Sequence, residues 1–186
     1  FATRGTTAMI SELNATYHEI ETRGFIKQKL VSLFMLFVLL VMFITSLGIN
    51  IAVSQFLTLL SEYDIIRIPW HFTAIRIVKW LLIVFLVFMC ISVIYYFAPA
   101  RKSEYHFFSA GSSLATLLIV LSSAGFNFYI TNFSSYNAVY GSIGALIILL
   151  LWIQLISMIL IIGFELNVSI RNALRQKMQK KRKDIL

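Results

Sequence analysis

From Ile143 to Phe164 the sequence runs for 22 residues without a charge. Its only polar side chains are those of Gln154 and Ser157. An α-helix of that length extends about 33 Å, enough to cross a hydrocarbon layer of roughly 30 Å. The run therefore reads as a membrane helix, taken as 143–168. Three further stretches read the same way, at 30–60, 77–98 and 107–133. Hydrophobic residues are 59% of the 186 positions and charged residues 13%, against roughly a quarter charged in a soluble domain. A chain this short cannot hide so much apolar surface internally, so a bilayer is its natural solvent. The expected fold is all-α: one membrane domain, a polytopic transmembrane bundle of four spans.

Ahead of the first span, residues 6–22 read as an amphipathic helix. Ala8, Ile10, Leu13, Tyr17 and Ile20 recur at helical spacing. It is too polar to span, so it either lies at the interface or packs against the bundle. The 31-residue stretch 30–60 exceeds one perpendicular crossing, which predicts tilt or a kink near Gly48. Residues 61–76 form a mixed-charge loop in which Pro69 interrupts any helix and Trp70 anchors at the interface. The third span is rich in small residues. Gly111-x-x-x-Ala115 predicts close approach of another helix, as do Gly141 and Gly144 at the start of the last span.

Lys and Arg set orientation. With four spans, thirteen of the sixteen basic residues fall on the side of both chain ends, and Arg67, Arg76 and Lys79 on the other. Both ends are therefore expected in the cytoplasm. Seven basic residues crowd the tail 171–186. A juxtamembrane polybasic segment of this kind attracts anionic lipid. It lacks the aromatic platforms of single-strand binders, so nucleic acid is not an expected partner.

Glu165 is the most conspicuous candidate, an acid in the last turn of an apolar run. Residues 154, 157, 161 and 165 share one helical face, so Gln154, Ser157 and Glu165 form a broken polar stripe. Two roles fit: a structural ion pair, for instance with Arg171, or an acid that couples transport. Asn50 fits an interhelical hydrogen bond or a pathway lining. Asn127, Tyr129, Tyr136 and Tyr140 cluster about the hairpin before the last span. They form either an interfacial aromatic belt with turn-forming Asn or a rim that binds headgroups or solutes.

Cys90 alone can form neither an intrachain disulfide nor a cysteine-based zinc site. The eight acids are scattered, and His18, His71 and His106 lie in separate segments. No pair has metal-ligand or acid–base spacing, so no cofactor, metal site or enzymatic activity is expected.

An ordered set of residues carries a resemblance. Phe126 and Tyr129, then Tyr136, Tyr140 and Gly141, then Trp152, Gly163, Glu165 and Asn167 resemble the closing segment of the YihY/BrkB family of bacterial inner-membrane proteins. The likeness extends more loosely back to about Ser11. It implies a six-span protein, of which this sequence would lack roughly the first two. Some family members have carried the name ribonuclease BN and others virulence factor; the scattered acids here give a nuclease no support. The resemblance and the intramembrane polar residues together imply transport or export of a lipid or envelope-related solute. The alternative is a structural subunit that docks a membrane partner, or a second copy of itself, through its small-residue faces.

Overall fold

The computed structural model describes residues 2–16, 23–62, 69–99, 107–132 and 142–183. Among these there are five helices: α1 (Ala2–Thr16), α2 (Phe25–Glu62), α3 (Pro69–Phe97), α4 (Ala110–Asn132) and α5 (Ser142–Lys183). Helix is what the physics requires, because a backbone in hydrocarbon must satisfy its own amides. Four of the helices, α2 to α5, are long and apolar enough to cross a membrane. Hydroxyls along them bond back to the carbonyl four residues earlier, as in Thr45 to Val41, Ser54 to Asn50 and Ser123 to Ile119. This local bonding lets Ser and Thr sit in apolar spans at little cost.

Several boundaries differ from the sequence reading. α2 runs unbroken through Gly48 and, at 38 residues, is about 57 Å long. α3 begins at Pro69, so the proline opens that helix instead of interrupting it; a helix's first turn has no partner for the N–H that proline lacks. α5 continues through the basic tail to Lys183 as one helix of 42 residues.

Consecutive helices pack side by side, and α1 lies against α2 and α5. Of the two placements open to the amphipathic helix, the structure shows packing against the bundle. Ile10 is fully buried, in a core with Met35, Ile91, Ile94, Tyr95, Ala115, Phe164 and Val168. Thr6 and Thr7 fix α1 to α2 through the Ser32 carbonyl (3.3 Å) and hydroxyl (3.0 Å). Ala8 is exposed, and Tyr17 and Ile20 lie outside the described residues.

The core occupies the end of the bundle where α2 and α4 begin and α3 ends. Helix termini gather there, and their unmatched backbone groups are satisfied by side chains. Ser109 and Ser112 cap α4 reciprocally, each hydroxyl accepting the other's backbone N–H at 3.2 Å. The Arg23 guanidinium donates to the last carbonyl of α3, at Phe97, and to the two that follow the helix, at Ala98 and Pro99. A cation at a helix C-terminus also complements the helix dipole.

Candidate functional site

Two groups of side chains stand out, on opposite sides of α5. The first is the crossing of α4 and α5. Gly111 and Ala115 on α4 meet Gly163 and Asn167 on α5. A Cβ at Gly163 would lie 2.8 Å from that of Ala115 and 2.8 Å from the Gly111 carbonyl oxygen. This is backbone-to-backbone packing, open only to residues with little or no side chain. Asn167 completes the contact: its Oδ1 accepts the Gly111 N–H at 2.7 Å and its Nδ2 donates to Ser109 Oγ at 2.8 Å. It thereby caps α4 from a neighbouring helix.

Tyr95 of α3 closes the same node. Its ring is 1% exposed and meets Phe164 edge-on at 5.5 Å. Its hydroxyl donates to the Leu160 carbonyl of α5 at 2.6 Å. Tyr95→Phe keeps the ring and removes that bond, which in proteins is worth about 1 kcal/mol. The thermal midpoint in detergent should fall by roughly 2–4 °C. An unchanged midpoint would show that the hydroxyl does not tie α3 to α5.

The second group is the stripe read from the sequence. Gln154, Ser157 and Glu165 are all exposed along one side of α5, and part of that side, at Ser157 and Ile161, lies next to α1. The Ser157 hydroxyl donates to the Ile153 carbonyl at 2.8 Å. Ser157 also borders a cleft of about 250 Å³ between α1, α3 and α5, shared with Met9, Glu12 and Ile94. Glu165 and Arg171 do not pair: six positions turn the helix by roughly 240°, and Arg171 is buried while Glu165 is exposed.

The remaining candidates are dispersed. Asn50 accepts a hydrogen bond from Lys79 Nζ at 3.2 Å, which links α2 to α3. Asn127 and Tyr129 are exposed near the end of α4, where Phe126 stacks on Trp152 at 4.7 Å. Tyr136, Tyr140 and Gly141 lie outside the described residues, and Gly144 is buried in the first turn of α5. Among the described residues no three His, Cys, Asp or Glu side chains come together.

Sequence reasoning singled out neither Tyr95 nor Asn167 as a site. A signal existed for Asn167: it lies four residues after Gly163, on the same helical face.

Comparison with known proteins gives the chain its kinship. The family described as Virulence factor BrkB matches residues 1–185. The ribonuclease-like protein YfkH of Bacillus subtilis (strain 168) is 28% identical over 170 residues, covering 89% of this chain and 60% of that protein. A UPF0761 membrane protein of Vibrio campbellii is 31% identical over 123 residues, 66% of this chain and 38% of the relative. One from Idiomarina loihiensis is 29% identical over 164 residues, 88% and 55%. The chain thus spans about half the length of the curated relatives it matches. No solved structure matches. The four apolar spans and the match over nearly every residue lead to one conclusion: this chain is a multi-pass membrane protein and belongs to the virulence factor BrkB family.

Proposed function

We propose that the protein is a transporter or exporter of a lipid or an envelope-related solute in the bacterial inner membrane. The observation that carries this reading is the outward face of α5, where Gln154, Ser157 and Glu165 are exposed along one side of a membrane span. Polar side chains facing hydrocarbon cost free energy unless they meet water or another polar group. A stripe open from the side suits an amphipathic cargo, whose head follows the polar side chains while its tails stay in lipid. Ser157 supports this least, because its hydroxyl is satisfied by its own helix. The alternative of docking a partner through small residues has weaker support. Gly111, Ala115 and Gly163 are already used inside the bundle.

The test is Glu165→Gln in proteoliposomes carrying a fluorescent phospholipid. Because the carboxylate is exposed, its neutralisation strands no buried cation, and the thermal midpoint should stay within about 1 °C of the parent. Lipid movement between leaflets should slow roughly 10-fold, as for loss of a charge that acts in the rate-limiting step. Movement by the parent no faster than in protein-free vesicles would reject the transport reading, and an undiminished rate in the variant would reject the role of Glu165.

The charge asymmetry supports an orientation with both ends in the cytoplasm. A cysteine at Ser135 should react with an impermeant reagent on intact cells, and one at Lys180 only after permeabilisation. The reverse pattern would overturn the orientation. On this reading the basic, exposed last turns of α5 rest on anionic lipid.

A further inference from the structure

A groove between α2 and α3 joins an apolar cleft to a lysine. The cleft, about 380 Å³, is lined by Leu39, Leu40 and Phe43 of α2 and by Leu86, Val87 and Cys90 of α3, with Ser46 at the end nearer Asn50. That volume lies within the roughly 300–1,000 Å³ of small-ligand sites. The Cys90 thiol donates to Met42 Sδ at 3.5 Å, so the wall carries no unmet polar hydrogen there.

The rows of side chains that line the cleft lead to Asn50 and Lys79. Positions 39, 43, 46 and 50 share one face of α2, and positions 90, 86 and 79 one face of α3. The two rows meet where Lys79 Nζ donates to Asn50 Oδ1 at 3.2 Å. An ammonium has three hydrogens; the amide takes one and orients the other two. Arg76, one turn away on α3, is exposed. α3 contains no acid, and the one acid in α2, Glu62, is twelve positions past Asn50, about 18 Å along the helix.

Depth fits a lipid as well. Asn50 is twenty positions beyond Leu30, where the charge-free run begins, and Lys79 nineteen before Ala98. Both distances are about 30 Å, one hydrocarbon thickness. The pair therefore stands at the far boundary of the apolar layer, where a lysine keeps its stem in lipid and its ammonium at the surface. Phospholipid phosphates lie at the same depth.

We propose that this groove holds an anionic phospholipid, with its phosphate on Lys79 and Arg76 and one acyl chain in the cleft. Lys79 supplies a point charge and Arg76 a planar fork suited to two phosphate oxygens. From Lys79 to Cys90 the helix rises about 16 Å, close to half the hydrocarbon layer and so to the depth of one leaflet. A chain descending from the lysine passes Ser46 and Leu86 and ends beside Cys90. A choline headgroup would bring its own positive charge towards the two cations, so the site selects phosphatidylglycerol over phosphatidylcholine. The inference is independent of the transport reading, since it uses no residue of α5.

The test uses the protein in phosphatidylcholine vesicles that contain a trace of phospholipid with a photoreactive group at the end of one acyl chain. The probes are phosphatidylglycerol and phosphatidylcholine with identical chains, and adducts are mapped by peptide mass spectrometry. Lipid that merely surrounds the protein marks all exposed spans alike, whatever its headgroup. The proposed site should give adducts between residues 36 and 46 and between 86 and 90, in excess with phosphatidylglycerol. Lys79→Gln can still bond Asn50 and should reduce that excess about 5-fold, and Arg76→Gln/Lys79→Gln roughly 25-fold, as for cations at a membrane surface. Ser46→Phe fills the cleft with apolar bulk and should remove the adducts there, which decides the matter if the charge variants fold poorly. Lys180→Gln/Lys181→Gln in the tail should change nothing. Equal labelling by the two probes would overturn the proposal, as would undiminished labelling in the folded Lys79 variant or in Ser46→Phe, or an equal loss in the tail variant. Loss of the adducts on adding sn-glycerol phosphate in excess would also overturn it and assign the two cations to a soluble phosphate.

Discussion

Gly111→Leu should unfold the bundle at a markedly lower temperature than the parent. A Cβ at Gly111 falls onto the Gly163 carbonyl oxygen and 2.6 Å from Asn167 Cγ. A backbone carbonyl cannot rotate away as a flexible side chain can, so α4 and α5 must separate. Overpacking of a tight contact costs about 3 kcal/mol or more, a drop of roughly 6–12 °C in the midpoint. Gly48→Leu is the internal comparison. A Cβ there meets nothing within 4 Å, so the midpoint should hold or rise slightly, since glycine costs about 1 kcal/mol in a helix. Equal melting of the two variants would mean that the α4–α5 crossing is not a close contact.

Asn167→Leu is expected to be nearly as damaging, for a different reason. The Gly111 N–H belongs to the first turn of α4, where no helical carbonyl reaches it. Asn167 supplies its acceptor at 2.7 Å and holds Ser109 as well. Leucine fills similar space but leaves a buried donor without an acceptor, at about 1–3 kcal/mol, and loses the second hydrogen bond. A loss of roughly 2–4 kcal/mol should lower the midpoint in detergent by about 4–16 °C. Asn167→Asp keeps an acceptor at a helix N-terminus and should lose less. If leucine and aspartate melt alike, the hydrogen bond to Gly111 carries little of the stability.

These expectations invert the ranking that polarity alone suggests. Glu165 draws attention because a carboxylate in an apolar run is costly, yet it is exposed. Asn167, two positions on, is an ordinary amide in the sequence and a buried cap in the structure. Two positions turn a helix by roughly 200°, enough to carry a side chain from the open face to the core. The amphipathic segment is a similar case. Its apolar spacing allowed a place on the membrane or against the bundle. The burial of Ile10 and the bonds from Thr6 and Thr7 to Ser32 show the second.

The uncharged runs determined by themselves that the chain is helical and crosses a membrane, because hydrocarbon leaves a backbone no other way to satisfy its amides over such a length. The clustering of lysine and arginine sets an expectation for orientation only. Partners between helices were decided only by tertiary structure. Gly111 and Ala115 mark a surface that admits a close neighbour, but glycine has no chemistry that names one. Which helix arrives, and which of its faces, depends on packing among segments distant in sequence. That packing joined Gly163 and Asn167 to Gly111, set Tyr95 against Leu160, brought Arg23 to the end of α3, and left Glu165 facing outward.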